Sequence, residues 1–191
     1  TNLRMADVVV INKVDTADPM DIETVRRNIK KVNSDATIVE ATSPITVDNP
    51  KLVKGKRVLV VEDGPTLTHG NMAYGAGTIA AKRLGASEIV DPRPYAVGSI
   101  KGTFKEYAHL GAVLPAMGYG KEQIGELEET INATPCDVVV IGTPIDLRQL
   151  LRLNKPATRA KYELQEISKP NLEDILKQRF PRSSAFKLKG V

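Results

Sequence analysis

The chain has 191 residues, 41% of them hydrophobic and 26% charged, which is typical of a soluble globular protein with a sizeable core. Its single cysteine, Cys136, excludes a disulfide framework and suits a reducing compartment. No apolar run approaches the ~20 residues of a membrane span, and no signal peptide opens the chain. We therefore expect a cytoplasmic protein without a membrane partner.

The net charge of +4 is concentrated at the carboxyl terminus. The last fifteen residues carry five positive charges and no negative ones, which leaves the rest of the chain near neutral. Short basic segments at a terminus are typical of mobile tails. We expect a basic, mobile tail over residues 181–191 and no nucleic-acid partner.

The stretch from Asp7 to Asp15 reads D-V-V-V-I-N-K-V-D and predicts a strand followed by a ligand-binding turn. Its β-branched run, residues 8–11, is too short for a helix and is typical of a strand buried on both faces. Asn12, Lys13 and Asp15 then follow at the carboxyl end of the strand, where open α/β sheets bind ligands. The alternative is a polar turn that binds nothing.

The chemistry of these side chains fits a guanine base. A carboxylate at Asp15 can accept from the ring N–H and the exocyclic amine together, and adenine offers no such donor pair. The Asn12 amide can meet the opposite edge of the base, and the Lys13 stem can lie over the ring face.

The next elements continue this pattern. Asp18 and Pro19 predict the N-cap and first residue of a helix, and residues 37–42 predict a second strand. Strand, N-K-x-D, helix, strand and small polar turn form the closing portion of a GTPase domain, where the second turn gives a backbone N–H to the guanine oxygen. The predicted base-binding residues are Asn12, Lys13, Asp15, Ala41, Thr42 and Ser43.

A phosphate-binding G-x-x-x-x-G-K-[ST] loop is missing from the 191 residues. We therefore expect the chain to be the carboxyl-terminal part of a longer GTPase-like protein. GTP or ATP with Mg²⁺ is then expected to bind only when the upstream segment is present, and the chain alone is expected to be inactive.

A third predicted strand, residues 57–62, leads into a loop rich in glycine. The loop, residues 63–77, precedes a helix predicted over residues 78–84 and predicts an anion nest at the helix N-terminus. Asp63 is a candidate metal ligand or catalytic base, and His69 is a candidate catalytic residue and titratable donor. The alternative is a Gly-rich turn whose His and Thr side chains cap the helix.

The strand and helix rhythm then repeats. Further strands are predicted over residues 88–91, 112–117, 137–141 and 159–167, with Asp146 opening one helix and Asn171 capping the last. The alternating polar residues of 159–167 indicate a half-exposed edge strand. Because its outer residues are charged, we expect a monomer or weak homodimer.

These elements predict the α/β class, with a doubly wound, mainly parallel sheet and helices on both faces, in one domain over residues 1–180. Such a Rossmann-like sheet places every strand's carboxyl end along one rim. We therefore expect a second site on the same rim as N-K-V-D, for a phosphorylated or carboxylate substrate, with Asp63 and Asp91 as candidate metal ligands. Its predicted residues are Gly64, Thr66, Thr68, His69, Gly70, Arg93, Gly142 and Thr143.

Several long motifs resemble a known family. The runs V-V-V-I-N-K-V-D, V-E-D-G-P-T-L-T-H-G, D-P-R-P-Y-A-V-G-S-I and V-V-I-G-T-P-I-D-L look like the carboxyl-terminal part of predicted P-loop GTPases related to archaeal cyclic 2,3-diphosphoglycerate synthetase. The resemblance spans Met5 to about Arg179. It implies a P-loop NTPase-related, nucleotide-binding enzyme whose phosphate-binding loop lies upstream.

Three functions follow from the residues and the resemblance together. The first is the GTP-binding portion of a GTP-hydrolysing enzyme with a second anionic ligand. The second is an ATP-dependent ligase or kinase that acts on a phosphorylated small acid, as in cyclic 2,3-diphosphoglycerate synthetase. The third is a non-catalytic regulatory GTPase.

Overall fold

A computed structural model describes residues 2–70 and 72–181 of the chain. It divides the chain into two compact units, unit 1 (Thr1–Pro44 and Glu163–Val191) and unit 2 (Ile45–Tyr162). The tail predicted over residues 181–191 lies outside the described residues, except for Pro181.

The described residues contain nine strands and seven α-helices, together with short 3-10 turns. The strands are β1 (Val8–Ile11), β2 (Thr37–Thr42), β3 (Ile45–Val47), β4 (Arg57–Asp63), β5 (Glu88–Ile89), β6 (Leu114–Ala116), β7 (Val138–Gly142), β8 (Ala157–Tyr162) and β9 (Gln165–Glu166). The helices are α1 (Asn2–Met5), α2 (Pro19–Val32), α3 (Gly64–His69), α4 (Ala76–Arg83), α5 (Gly98–Glu106), α6 (Lys121–Ala133) and α7 (Leu172–Arg179).

Unit 1 contains a three-stranded sheet in the order β1-β2-β9. β1 pairs in parallel with β2, and β9 pairs with β2 in antiparallel orientation. Both predicted caps are confirmed: the Asp18 side chain accepts from Met20 N at 2.7 Å, and the Asn171 side chain accepts from Asp174 N at 2.8 Å. The prediction that β1 is buried on both faces is wrong, because Val10 is 36% exposed and β1 has a single strand neighbour among the described residues.

Unit 2 contains a six-stranded sheet in which β3, β8, β7, β4 and β5 follow one another and β6 pairs with the carboxyl end of β4. All of its pairings are parallel except that of β3 with β8. One buried cluster on this sheet includes Ile100 and Leu127, from α5 and α6. A second includes Leu67 and Ala80, from α3 and α4. The mainly parallel α/β class is therefore confirmed.

The expectation of one continuous sheet is wrong, because the strands form two separate sheets. The predicted edge strand over residues 159–167 is only partly confirmed, because the segment divides into β8, an inner strand, and β9, which lies at the edge of the sheet of unit 1. β8 lies between β7 and β3, and residues 165–166 pair with β2 in unit 1. The polar residues of β8 have a different explanation, since Lys161 Nζ lies 2.7 Å from Asp48 Oδ1 on the neighbouring segment. The expected monomer or weak homodimer stays a prediction.

Two local predictions also differ from the structure. The loop predicted from Asp63 contains helix α3. The helix predicted from Asp146 is only a 3-10 turn, Leu147–Gln149, which Asp146 caps. No described helix combines the length and apolar character that crossing a membrane requires.

Candidate functional site

Unit 1 brings the two predicted base-binding turns together. Asn12 Nδ2 donates to Ser43 Oγ at 2.8 Å, and Val14 N donates to Ala41 O at 3.2 Å. These two contacts join the turn after β1 to the end of β2 and to the residue that follows it by one position. The Asp15 side chain is exposed, so its carboxylate is accessible to a ligand. Thr42 is the last residue of β2, and its hydroxyl donates to Gln165 O at 3.4 Å.

The backbone of the N-K-V-D turn is held in an unusual conformation. Lys13 has φ of 62°, in the left-handed region that costs a non-glycine residue about 1 kcal/mol or more. Its N–H donates to Asn12 Oδ1 at 2.7 Å, and its carbonyl accepts from Thr16 N and Ala17 N, both at 3.1 Å. Residues held in such conformations cluster at ligand-binding sites, so this geometry favours a functional turn.

In unit 2, Asp63 ends β4 and caps the helix that follows. Its Oδ2 accepts from Thr66 N at 3.2 Å and from Thr66 Oγ1 at 2.6 Å. Thr68 Oγ1 donates to Gly64 O at 3.0 Å and lies 3.1 Å from His69 Nδ1. The hydroxyls predicted to bind an anion therefore make contacts within α3. The turn-and-cap alternative describes this segment better than an open loop.

The carboxylate of Glu62 occupies the N-terminus of α4. It is 2% exposed and accepts from the N–H groups of Gly75 at 3.1 Å, Gly77 at 3.3 Å and Thr78 at 2.8 Å. The Thr78 hydroxyl adds a fourth bond at 3.0 Å. Burial raises the pKa of Glu62, and these hydrogen bonds oppose that rise. The predicted anion nest therefore exists, but the chain's own carboxylate fills it.

Other helices at the rim of unit 2, the edge formed by the carboxyl ends of its parallel strands, also have their first N–H groups bonded to side chains. Ser99, in the first turn of α5, donates from its N–H to Glu126 Oε1 at 3.0 Å and from its hydroxyl to Glu126 Oε2. Gly120, which precedes α6, donates its N–H to Gln123 Oε1 at 3.2 Å. Side chains of the protein thus occupy donors at the start of α3, α4, α5 and α6, which leaves this rim poor in free donors for an anion.

The remaining predicted anion-site residues are engaged elsewhere. Arg93 Nη1 bonds to Asp91 Oδ2 at 2.9 Å, its Nη2 donates to Leu110 O, and its guanidinium lies 5.0 Å from the Phe104 ring centroid. Thr143 Oγ1 donates to Ile145 O at 2.6 Å. No such contact joins Arg93 to the Asp63 segment among the described residues.

The glycines of the predicted anion site have packing roles instead. A Cβ on Gly142 would overlap Glu62 Oε2 and lie 2.9 Å from Gly77 N. A Cβ on Gly64 would lie 2.7 Å from Ala116 O, and Gly70 N donates to Thr66 O at 3.1 Å at the end of α3.

The described residues contain no group of three or more His, Cys, Asp or Glu side chains placed to hold a metal. Asp63 and Asp91, the candidate metal ligands, bond instead to Thr66 and Arg93. A metal at this rim stays a prediction that would require ligands from outside the described residues.

Sequence reasoning missed two side chains at this rim. Glu62 was assigned only to the end of a strand, although an acidic residue directly after V-L-V-V, with Gly75, Gly77 and Gly142 elsewhere, is a detectable signal of a buried carboxylate. Tyr119 has a buried hydroxyl without a hydrogen-bond partner among the described residues. Its pKa is raised, chiefly by burial and also by the charge of Asp63.

The fold and these turns define a Rossmann-like α/β protein with a candidate nucleotide-base turn in unit 1 and, in unit 2, a rim where side chains of the chain itself cap the helix N-termini. No protein-family model matches the chain. The chain is 65% identical over 178 residues to arginine synthetase ArcE of the archaeon Thermococcus kodakarensis. The match covers 93% of this chain, which spans about 40% of the length of that curated relative. The chain is thus a close homologue of one segment of a longer archaeal protein.

Proposed function

We propose that the chain is part of a nucleotide-dependent synthetase that forms arginine or a closely related amino acid. The observation that carries this proposal is the 65% identity over 178 residues to a protein named arginine synthetase. A synthetase corresponds to the ligase alternative of the sequence analysis. The comparison gives no support to a GTPase, which stays a prediction from the N-K-V-D turn.

In this proposal, the turn of unit 1 reads the nucleotide base. Asn12 Nδ2 donates to Ser43 Oγ at 2.8 Å and joins the two segments, and Asp15 offers an accessible carboxylate. A carboxylate at this place favours guanine over adenine, because guanine presents two adjacent donors. The phosphates and Mg²⁺ would be bound by other parts of the full-length protein.

In the same proposal, the rim of unit 2 binds the amino acid. Its helix N-termini are occupied by Glu62 and Glu126, and Asp63 lies at the end of the central strand. Glu62 and Glu126 are engaged by these donors, but among the described residues only Oδ2 of Asp63 is hydrogen-bonded, to Thr66, and a carboxylate with a free oxygen suits a cationic group better than a phosphate. A guanidinium or ammonium group is such a cation, which supports arginine-like chemistry over a phosphorylated acid.

Calorimetric titration of the protein at its natural length tests this proposal. We expect L-arginine to bind more tightly than L-lysine, because the planar guanidinium can pair with a carboxylate through two parallel hydrogen bonds. Asp63→Asn should weaken this binding, whereas Asp137→Asn, a change at the opposite end of the sheet, should not. Equal affinity for both amino acids, or no binding of either, would contradict the proposal.

A further inference from the structure

Unit 2 has an open groove of about 370 Å³ lined by Arg148, Leu151, Arg152, Leu153, Lys155 and Ala157. We propose that this groove binds a small phosphorylated organic molecule through Arg152, with its carbon part on the leucines. The groove is separate from the rim described above. Ala157 begins β8 and Pro156 O accepts from Val139 N near the start of β7, whereas Asp63 and Gly142 end their strands.

The three cations of the groove differ in how many donors they have left. Lys155 Nζ donates to the carbonyls of Ile131, Asn132 and Thr134 at 3.1, 3.0 and 2.8 Å. An ammonium group has three donors, so Lys155 has none left for a ligand. It contributes positive charge to the groove and caps the carbonyl groups at the carboxyl end of α6.

Arg148 is fixed by two carboxylates. Its Nη2 lies 2.7 Å from Asp146 Oδ2 and 2.8 Å from Asp48 Oδ2, and its Nε donates to Asp146 Oδ1 at 2.8 Å. Its Nη1 makes no hydrogen bond within the part of the chain that the structure describes. Arg148 therefore keeps the two N–H donors of Nη1 for a ligand.

The Arg152 guanidinium has the most free donors. Its backbone N–H donates to Glu128 Oε2 at 2.6 Å, but its side chain makes no hydrogen bond or ion pair with the described residues. A guanidinium matches two oxygens of a phosphate through parallel hydrogen bonds. Arg152 is consequently the residue on which phosphate recognition depends.

The groove also has an apolar part. Leu151 is 6% exposed, and Leu153 and Ala157 are half-buried. A volume of about 370 Å³ is within the range of pockets that bind small organic molecules and exceeds the needs of inorganic phosphate. The ligand therefore combines a phosphate with a carbon skeleton.

Calorimetry with phenyl phosphate, inorganic phosphate and benzoate as probes tests this site in the protein at its natural length. We expect phenyl phosphate to bind most tightly of the three. Arg152→Ala should weaken it about tenfold or more, the usual effect of losing hydrogen bonds to a charged group. Arg152→Lys keeps the charge but not the planar fork and should recover only part of the loss.

Arg83→Ala is the matched control, because Arg83 is an exposed arginine at the end of α4 on the opposite face of the sheet. It should leave phenyl phosphate affinity unchanged. Benzoate binding as tightly as phenyl phosphate, undetectable phenyl phosphate binding, or an affinity insensitive to Arg152→Ala would each overturn the proposal. Arginine binding by Arg152→Ala should equal that of the parent, so the two proposals fail independently.

Discussion

Glu62 and Thr78 are joined by two hydrogen bonds, from the Thr78 N–H at 2.8 Å and from its hydroxyl at 3.0 Å, both to Glu62 Oε1. Through this pair, the end of β4 holds the first turn of α4. Since the same carboxylate also accepts from Gly75 and Gly77, one buried side chain organises the loop and helix that follow the central strand.

Replacing Glu62 by Gln should destabilise unit 2 by about 1–3 kcal/mol, because the Gln amide turns a donor toward the Gly77 N–H. The variant should also lose a pH dependence. The folded-state pKa of Glu62 is raised above its ordinary value of 4.5, so its contribution to stability is largest below pH 4.5 and is lost as pH rises through the folded-state pKa.

Urea unfolding of both proteins between pH 4 and pH 8 measures this effect. The stability advantage of the parent over Glu62→Gln should shrink as pH rises. Comparing the two proteins at each pH removes the contribution of other groups, such as Asp146, whose pKa is lowered by Arg148. An advantage that grows with pH would contradict the assignment.

Gly142→Ala should destabilise the protein by about 1–3 kcal/mol, since the added Cβ would overlap the Glu62 carboxylate and crowd Gly77 N. Gly125→Ala is the matched control. Gly125 lies inside α6 with nothing within 4 Å of an added Cβ, so alanine there should stabilise by about 0.5–1 kcal/mol. Melting curves for the two variants should therefore shift in opposite directions, and a shared direction would show that the close packing at Gly142 is misjudged.

Thr68→Ala and His69→Ala test whether the segment after Asp63 binds an anion. Because the Thr68 hydroxyl donates to Gly64 O within α3, we expect Thr68→Ala to lower the melting temperature slightly and to leave phosphate affinity unchanged. His69→Ala should likewise leave phosphate affinity unchanged. A clear loss of phosphate binding in either variant, with unaltered melting, would restore the anion site predicted from the sequence.

The sequence predicted elements better than it predicted their arrangement. The caps at Asp18 and Asn171 follow from local hydrogen bonding, and both were found where expected. The assignment of the strands to two sheets could not be predicted, because β8 and β9 are only two residues apart yet pair with different neighbours. That choice depends on long-range packing and leaves no local pattern.

One part of the candidate site was likewise predicted from the sequence, and another part was not. The proximity of Asn12 and Ser43 was predicted because two parallel strands place their carboxyl ends together. The filling of the anion nest by Glu62 was not predicted, because glycine content indicates exposed N–H groups but not which acceptor they meet. A search for acidic residues at the ends of apolar strands would have suggested it.

Asp15→Asn tests the base-binding turn in the protein at its natural length. Loss of two charge-assisted hydrogen bonds should weaken GTP binding by about 1.5–3 kcal/mol and favour xanthosine triphosphate, which carries a carbonyl in place of the guanine amine. Asp21→Asn, an exposed acidic residue on α2, is the control and should have little effect. Unchanged preference between GTP and xanthosine triphosphate in Asp15→Asn would remove Asp15 from the site.

The proposed synthetase activity is tested most directly by running the reaction backwards. A synthetase that couples triphosphate cleavage to arginine formation must also run in reverse: the diphosphate and phosphate, or the monophosphate and pyrophosphate, condense to the triphosphate, and the water released hydrolyses a C–N bond of L-arginine to give a carbonyl compound and an amine or ammonia. We predict triphosphate formation by the protein at its natural length that requires L-arginine and is not supported by L-lysine. Hydrolysis of GTP without any second substrate, together with no triphosphate formation from L-arginine, would contradict the proposed function and favour a GTPase.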